Sequence, residues 1–226
     1  MVTVSELQAL VAASFELLNL PSWPNPHPGL ISPREEEYSR VTNPERYRVV
    51  HARAGVWVAV LKDALGARSE NLMPAPGAGE GNSEAFDRGI RLTSHQPSAL
   101  PLLLLERDVP QQIGDGTLAV LHIGVVRPDV VLETQPDCGC DACDSGSSDL
   151  LEAIDATIRH VVGGPFVVLR GNRWRAQWHP GGGSAGGEGS VPDFRAVMDL
   201  CRRLAEGETV RLPKDTEAVI GRSWFG

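Results

Sequence analysis

Apolar positions recur along the chain with two periods, and together they outline four helices and a set of short strands. Leu7, Leu10, Val11 and Leu18 fall at helical spacing. Ser5 with Gln8 makes a capping box ahead of them, and Pro21 stops the run. Asn43-Pro44 marks a second helix start, because proline is tolerated in a first turn. Tyr47, Val50, Ala54, Trp57, Leu61 and Leu65 continue on one face, and Gly66 offers a stop. Within that run VWVAVL also reads as a strand, since periodicity alone does not separate the two. Leu151, Ile154, Ile158, Val161 and Val162 form a third stripe, starting near Ser147 to Asp149 and closed by Gly163-Gly164. Phe194, Val197, Met198, Cys201 and Leu204 form a fourth. It runs from a start at Ser190, with Pro192 in the first turn and Asp193 in the box position, to Gly207.

Leu102 to Leu105 reads as a short buried strand. Thr117 to Val126 and Val130 to Glu133 flank Arg127-Pro128-Asp129, which predicts a hairpin. Phe166 to Arg170 and Arg173 to Trp178 flank Gly171-Asn172, residues that accept positive φ, and predict a second. In its second strand Trp174, Ala176 and Trp178 share one face, and Arg173, Arg175 and Gln177 the other. Hairpins interleaved with helices predict an α+β fold with a mainly antiparallel sheet. Both hairpins are expected in one sheet, packed by the helices near 149–162 and 191–206. The expected organisation is a single domain over residues 1–226, with mobile loops near 67–87 and 180–190. Residues 71–83 are rich in Gly, Pro and Ala, and Gly181 to Gly189 holds six glycines in nine residues. Pro21 to Gly29, with four prolines, reads as an extended loop.

With 42% hydrophobic and 22% charged residues, the chain can build a sizeable core. Its net charge of -8 and pI near 5.3 argue against nucleic acid or an anionic membrane surface as partner. No apolar run reaches the ~18 residues of a membrane helix. The start, MVTVSELQAL, lacks the basic and apolar regions of a secretory signal. A cytoplasmic protein with reduced cysteines is therefore expected.

The most unusual stretch is Pro136-Asp-Cys-Gly-Cys-Asp-Ala-Cys-Asp144, between a strand and a helix. Three thiols within six residues suit a soft or borderline ion such as zinc, held by Cys138, Cys140 and Cys143. A fourth ligand would come from Asp137, Asp141, Asp144, a distant histidine or water. The helix that follows is expected to direct free N–H groups at the loop and favour thiolate. The same sulfurs also suit a reactive or redox thiol, a local disulfide of Cys143 with Cys138 or Cys140, or inert packing of a tight turn. Cys201 lies on an apolar helical stripe and is expected to be a buried, unligated core thiol.

Other patterns carry less. Gly182-Gly183-Ser184-Ala185-Gly186 matches the nucleophile-elbow pattern, but no histidine follows Ser184 and the glycine run makes chance matches common. Ser190-Val191-Pro192 follows these glycines where a phosphate loop requires Lys and then Ser/Thr, so a connector is the expected reading. Arg170, Arg173 and Arg175 beside Trp174 and Trp178 read as solvated arginines opposite buried tryptophans. His122 reads as a core histidine, and Glu35, Glu36 and Glu37 as a solvated charge run.

The segment Pro136 to Asp155, beginning PDCGCDACDSGS, resembles a family of actinobacterial proteins of unknown function. That resemblance implies no activity and no catalytic residue. The expectation is a non-enzymatic cytoplasmic protein with a structural metal, acting through a protein partner or a small ligand. The alternative is a redox sensor or enzyme using Cys138, Cys140 and Cys143.

Overall fold

A computed structural model describes residues 2–29, 32–74, 85–111, 116–188 and 192–225. The chain divides into two compact units, Met1–Thr93 with Pro101–Ile158, and Ser94–Leu100 with Arg159–Gly226. Among the described residues four α-helices accompany two antiparallel sheets, so the α+β expectation holds.

In the first unit, α1 (Val4–Glu16) is opened by Thr3. The Thr3 hydroxyl accepts the Glu6 N–H at 3.2 Å, and the Glu6 carboxylate accepts the Thr3 N–H at 2.8 Å. This capping box lies two residues before the expected Ser5–Gln8 pair, which falls inside the helix. Leu7 and Val11 are buried, whereas Leu10 and Leu18 are 47% and 46% exposed. The helix ends at Glu16, before the last expected stripe position. A 3-10 turn at Pro44–Arg48 precedes α2 (Val49–Leu65), because Asn43 sits outside the helix at φ 53°. Gly66 closes α2 at φ 62°, as expected of a glycine stop. Val50, Ala54, Trp57 and Leu61 are buried along it, so VWVAVL is helix and not strand.

Five strands follow: β1 (Arg68–Leu72), β2 (Arg88–Thr93), β3 (Leu102–Pro110), β4 (Thr117–Val125) and β5 (Val131–Gln135). They form one sheet in chain order, each antiparallel to the next. β1 corrects part of the loop expected over 67–87; residues 75–84 of that loop lie outside the described residues. β3 runs past the expected Leu105 because Glu106, Arg107 and Asp108 continue the ladder against Leu121, Val120 and Ala119. Polar side chains end an apolar run without ending a strand. The β4–β5 hairpin forms as expected, with the Val130 N–H donating to the Arg127 carbonyl at 3.0 Å. After β5 comes α3 (Ser147–Gly163), where Leu150, not Leu151, joins Ile154, Ile158, Val161 and Val162 in the buried set.

The second unit holds β6 (Phe166–Arg170), β7 (Trp174–His179), β8 (Gly182–Gly187), α4 (Phe194–Ala205) and β9 (Glu217–Gly221). The sheet order is β8-β7-β6-β9, all antiparallel. Val197, Cys201, Leu204 and Ala205 of α4 form a core with Val167, Leu169 and Ala176, flanked by Trp174 and Trp178. The alternation expected of β7 holds. Asp193 caps α4 by accepting the Ala196 N–H at 2.9 Å, so the helix starts at Phe194, later than Ser190. Phe194 is 50% exposed and lies off the buried stripe.

Both expected hairpins exist, but in separate sheets, which corrects the single-sheet expectation. The free edge of β6 pairs with β9, a strand from the far end of the chain. The glycine-rich stretch expected as a mobile loop over 180–190 is largely β8, laddered on β7 from Trp174–Gly187 to His179–Gly182. A Cβ at Gly183 would lie 2.5 Å from the Gln177 carbonyl and 2.6 Å from the Met198 sulfur. The glycine there serves close approach of backbone and helix, not flexibility. No helix among the described residues is long and apolar enough to cross a membrane.

Candidate metal centre

Pro136 follows the last residue of β5, and the chain then loops to α3 at Ser147. Gly139 passes so close to Leu118 of β4 that any Cβ would meet its side-chain carbons. This contact explains the glycine between the first two cysteines. Asp141–Cys143 make a single 3-10 turn, in which the Cys143 N–H donates to the Cys140 carbonyl at 3.1 Å. The turn folds Cys143 back on its neighbours. The Sγ atoms of Cys138, Cys140 and Cys143 all lie within 4.8 Å of one another. The Cys138 thiol donates to Cys140 Sγ at 3.1 Å. Cys140 is buried and the other two are exposed, and all three are free thiols.

Burial alone would raise the Cys140 thiol. Hydrogen bonds from Cys138 and Cys143, together with the backbone N–H groups of Cys143 and Ala142, outweigh it and hold Cys140 below the ordinary thiol range. The donors pay no such gain. Hydrogen bonds to Cys140 and then Cys138 push Cys143 up to about 12. Tetrahedral zinc with bonds of about 2.3 Å sets its sulfurs about 3.8 Å apart. Sulfurs already within 4.8 Å reach that spacing by side-chain rotation.

The loop is fastened by its carboxylates. Asp141 accepts from Arg40 Nε, the Thr42 N–H and the Thr42 hydroxyl, each at 2.7 Å. Burial favours its neutral form, but these bonds win and hold it below the usual carboxylate range. The Asp141 N–H donates to the Arg40 carbonyl, and its own carbonyl accepts from His27 Nε2 at 3.2 Å. Asp144 accepts the Trp23 indole N–H, Arg46 Nη2 at 2.7 Å and the Gly146 N–H at 2.9 Å. Arg46 lies over the rings of Trp23 and Tyr47, with its guanidinium carbon 4.8 and 5.2 Å from their centroids. The Ser147 N–H at the start of α3 donates to the Trp23 carbonyl.

These contacts revise the expected ligand set. Asp141, Asp144 and His27 are anchors, and Asp137 accepts the Cys138 N–H. Among the described residues, no carboxylate or histidine joins the three converging sulfurs. The N–H groups of Gly146 and Ser147, at the start of α3, bond Asp144 and Trp23, so the amides that lower Cys140 come from the 3-10 turn instead. The anchors Trp23, Arg40, Thr42 and Arg46 escape a reading of the sequence. They lie about a hundred residues upstream, and no local spacing links them to the loop.

The remaining candidates take the places expected of core and surface residues. Cys201 is fully buried in the α4 core, where burial raises its thiol to about 11. Ser184 is exposed in mid-strand opposite Gln177, without the sharp strand-to-helix turn of an elbow. His122 is 4% exposed and bonds the Thr134 hydroxyl at 2.9 Å; burial, then Arg107, lowers its pKa. Glu35 and Glu36 are exposed in a short 3-10 turn, whereas Glu37, expected in the same solvated run, is half-buried and pairs with Arg34 and Arg40.

No curated protein and no solved structure matches the chain. The model of one family, described as Family of unknown function (DUF6226), matches residues 12–225, nearly the whole length, and the chain belongs to that family.

Proposed function

We propose that the protein carries one soft or borderline ion, with zinc as first candidate, on the thiolates of Cys138, Cys140 and Cys143. The observation that supports this reading is the convergence of three sulfurs within 4.8 Å on a loop whose other polar groups are spoken for. Zinc prefers four ligands, so the fourth is water or a group from outside the chain. An ion with one exchangeable position suits binding of a small ligand or a partner's side chain. The reading is of a cytoplasmic, non-enzymatic protein, since no nucleophile–base pair accompanies the sulfurs among the described contacts. Asp141 and Asp144 already fasten the loop, which favours an ion added to a formed site over one that the fold requires.

Cobalt substitution tests this. Titrating the reduced, metal-free protein with Co2+ should give a thiolate charge-transfer band that saturates at one ion per chain. The band should weaken in each single Cys→Ser variant of the three and persist in Cys201→Ser. A spectrum without thiolate bands would refute the reading.

A second reading, thiol chemistry without an ion, is supported by the lowered pKa of Cys140. It predicts that the clustered cysteines react with a small alkylating agent faster than the buried Cys201 in metal-free protein.

A further inference from the structure

We propose that the site is emptied by oxidation: a hydroperoxide converts Cys140 and Cys143 to a disulfide, and the ion leaves. This rests on the three-thiolate reading above and concerns the regulation of that site. The pairing follows from the backbone. The Cys143 N–H to Cys140 carbonyl bond, at 3.1 Å, closes a turn across these two residues. Such a turn brings its terminal Cα atoms within about 7 Å, inside the range a disulfide spans. Cys138 and Cys140 enclose only Gly139, a spacing that leaves a disulfide little torsional freedom. The hydrogen-bonded turn favours the Cys140–Cys143 pair, which leaves Cys138 over.

Access and order follow from burial. Cys143 is exposed and meets the oxidant, while Cys140 is buried with its sulfur within 4.8 Å. Cys201 is sequestered in the core of the second unit, so it does not compete. Because Asp141 and Asp144 hold the loop through Arg40, Thr42, Trp23 and Arg46, the sulfurs stay together once the ion is gone.

The chemistry balances with hydrogen peroxide as the hydroperoxide. In the loaded protein Cys143 is a ligand and so deprotonated; its sulfur attacks one peroxide oxygen, the O–O bond breaks, hydroxide leaves, and Cys143 becomes a sulfenic acid. The Cys140 sulfur attacks the Cys143 sulfur, the S–O bond breaks, a second hydroxide leaves, and the disulfide forms. The two sulfurs lose two electrons, and the peroxide is reduced to two waters once the hydroxides are protonated. The ion, reduced to one protein ligand, dissociates, and Cys138 takes up a proton.

The test starts from protein loaded with zinc and freed of excess metal. Hydrogen peroxide is added in small excess, released zinc is read with a chromogenic chelator, and disulfides are mapped by peptide mass. The expected result is one zinc released per disulfide formed, a loss of two hydrogens mapped to Cys140–Cys143, and recovery of zinc binding after a phosphine reductant. In the metal-free state Cys138→Ser should still close the disulfide, whereas Cys143→Ser, which lacks one of its two sulfurs, should show no loss of two hydrogens in the peptide that carries Cys138 and Cys140. Zinc retained after the disulfide forms, a disulfide that maps elsewhere, or release that the reductant does not reverse would overturn the inference alone. Failure of the reduced protein to bind zinc at all would overturn both it and the three-thiolate reading. Circular dichroism of each variant confirms that a negative result does not come from unfolding.

Discussion

The indole of Trp23 donates its N–H to Asp144, with the two carboxylate oxygens 3.0 and 3.1 Å away, across 121 residues of sequence. Arg46 closes on the same carboxylate, whose side chain is only 4% exposed. The thiol loop is thus tied at its C-terminal end to a distant part of the chain by a buried, charged anchor. Removing one partner of such a pair leaves the other charge without compensation. Asp144→Ala should cost about 3 kcal/mol in chemical denaturation. Trp23→Phe, which removes one hydrogen bond and keeps the ring, should cost about 1 kcal/mol. Equal losses in the two variants would argue against an anchor centred on the carboxylate.

A second buried pair joins the helices of the first unit. Arg53 of α2 makes a two-pronged bond to Asp155 of α3, with Nε to Oδ1 at 2.9 Å, and Trp57 Nε1 donates to the same oxygen at 2.7 Å. Arg53 Nη1 also reaches the Val11 carbonyl of α1 at 3.4 Å. Asp155→Ala should destabilise by about 3–5 kcal/mol, whereas Arg53→Met with Asp155→Leu should recover most of that loss. Urea denaturation of the single and double variants decides it. A double variant no better than the single would mean that the ion pair itself contributes net stability.

His160 of α3 stacks on His179 of β7, with ring centroids 3.5 Å apart and planes 14° from parallel. Burial, then His179 and Arg159, holds His160 at about 4, and burial lowers His179 as well. An unfolded histidine titrates near 6.5. The folded state therefore resists protons that the unfolded state takes up. Stability from this pair is complete above pH 6.5 and is lost as pH falls toward 4. Allowing for the partial exposure of the rings, the loss between pH 7 and pH 5 should be about 1–2 kcal/mol. His160→Phe should lose that much less over the same interval. An unchanged pH dependence in the variant would contradict the assignment.

β8 also makes a sharp prediction. Gly183→Ala sets a methyl against the Gln177 carbonyl and the Met198 sulfur, and should cost about 1–3 kcal/mol. Gly186 has nothing within 4 Å of an added Cβ, so Gly186→Ala should change stability by no more than about 1 kcal/mol. Thermal unfolding of the pair tests whether the stretch is a strand under α4. Indifference at both positions would return it to the status of a linker.

The parts of the fold that were legible in the sequence were those fixed by local chemistry. The hairpin about Gly171-Asn172, the stop at Gly66 and the alternation of Trp174, Ala176 and Trp178 each need only neighbouring residues, although neither Gly171 nor Asn172 takes the expected positive φ and the second strand starts at Trp174, one residue later than expected. β1 and β8 were not legible, because Arg68–Leu72 is mostly polar and Gly182–Gly187 offers only the small side chains of Ser184 and Ala185, too few to show a period. Their strand character comes from pairing with β2 and β7. The same division runs through the site. Cys138, Cys140 and Cys143 announce themselves by spacing, whereas the anchoring role of Asp141 and Asp144 needs Arg40, Thr42, Trp23 and Arg46 in place.

The central claim is that three sulfurs hold one ion, and its most direct measurement is a count of metal per chain. Protein purified under reducing conditions without added metal is analysed by native mass spectrometry together with elemental analysis. The account predicts one soft or borderline ion per wild-type chain. It predicts loss of that ion when Cys138, Cys140 and Cys143 are all replaced by serine, and retention in Cys201→Ser. A reduced wild-type protein that carries no ion and takes up none when zinc is supplied, or a triple variant that keeps its ion, would contradict it.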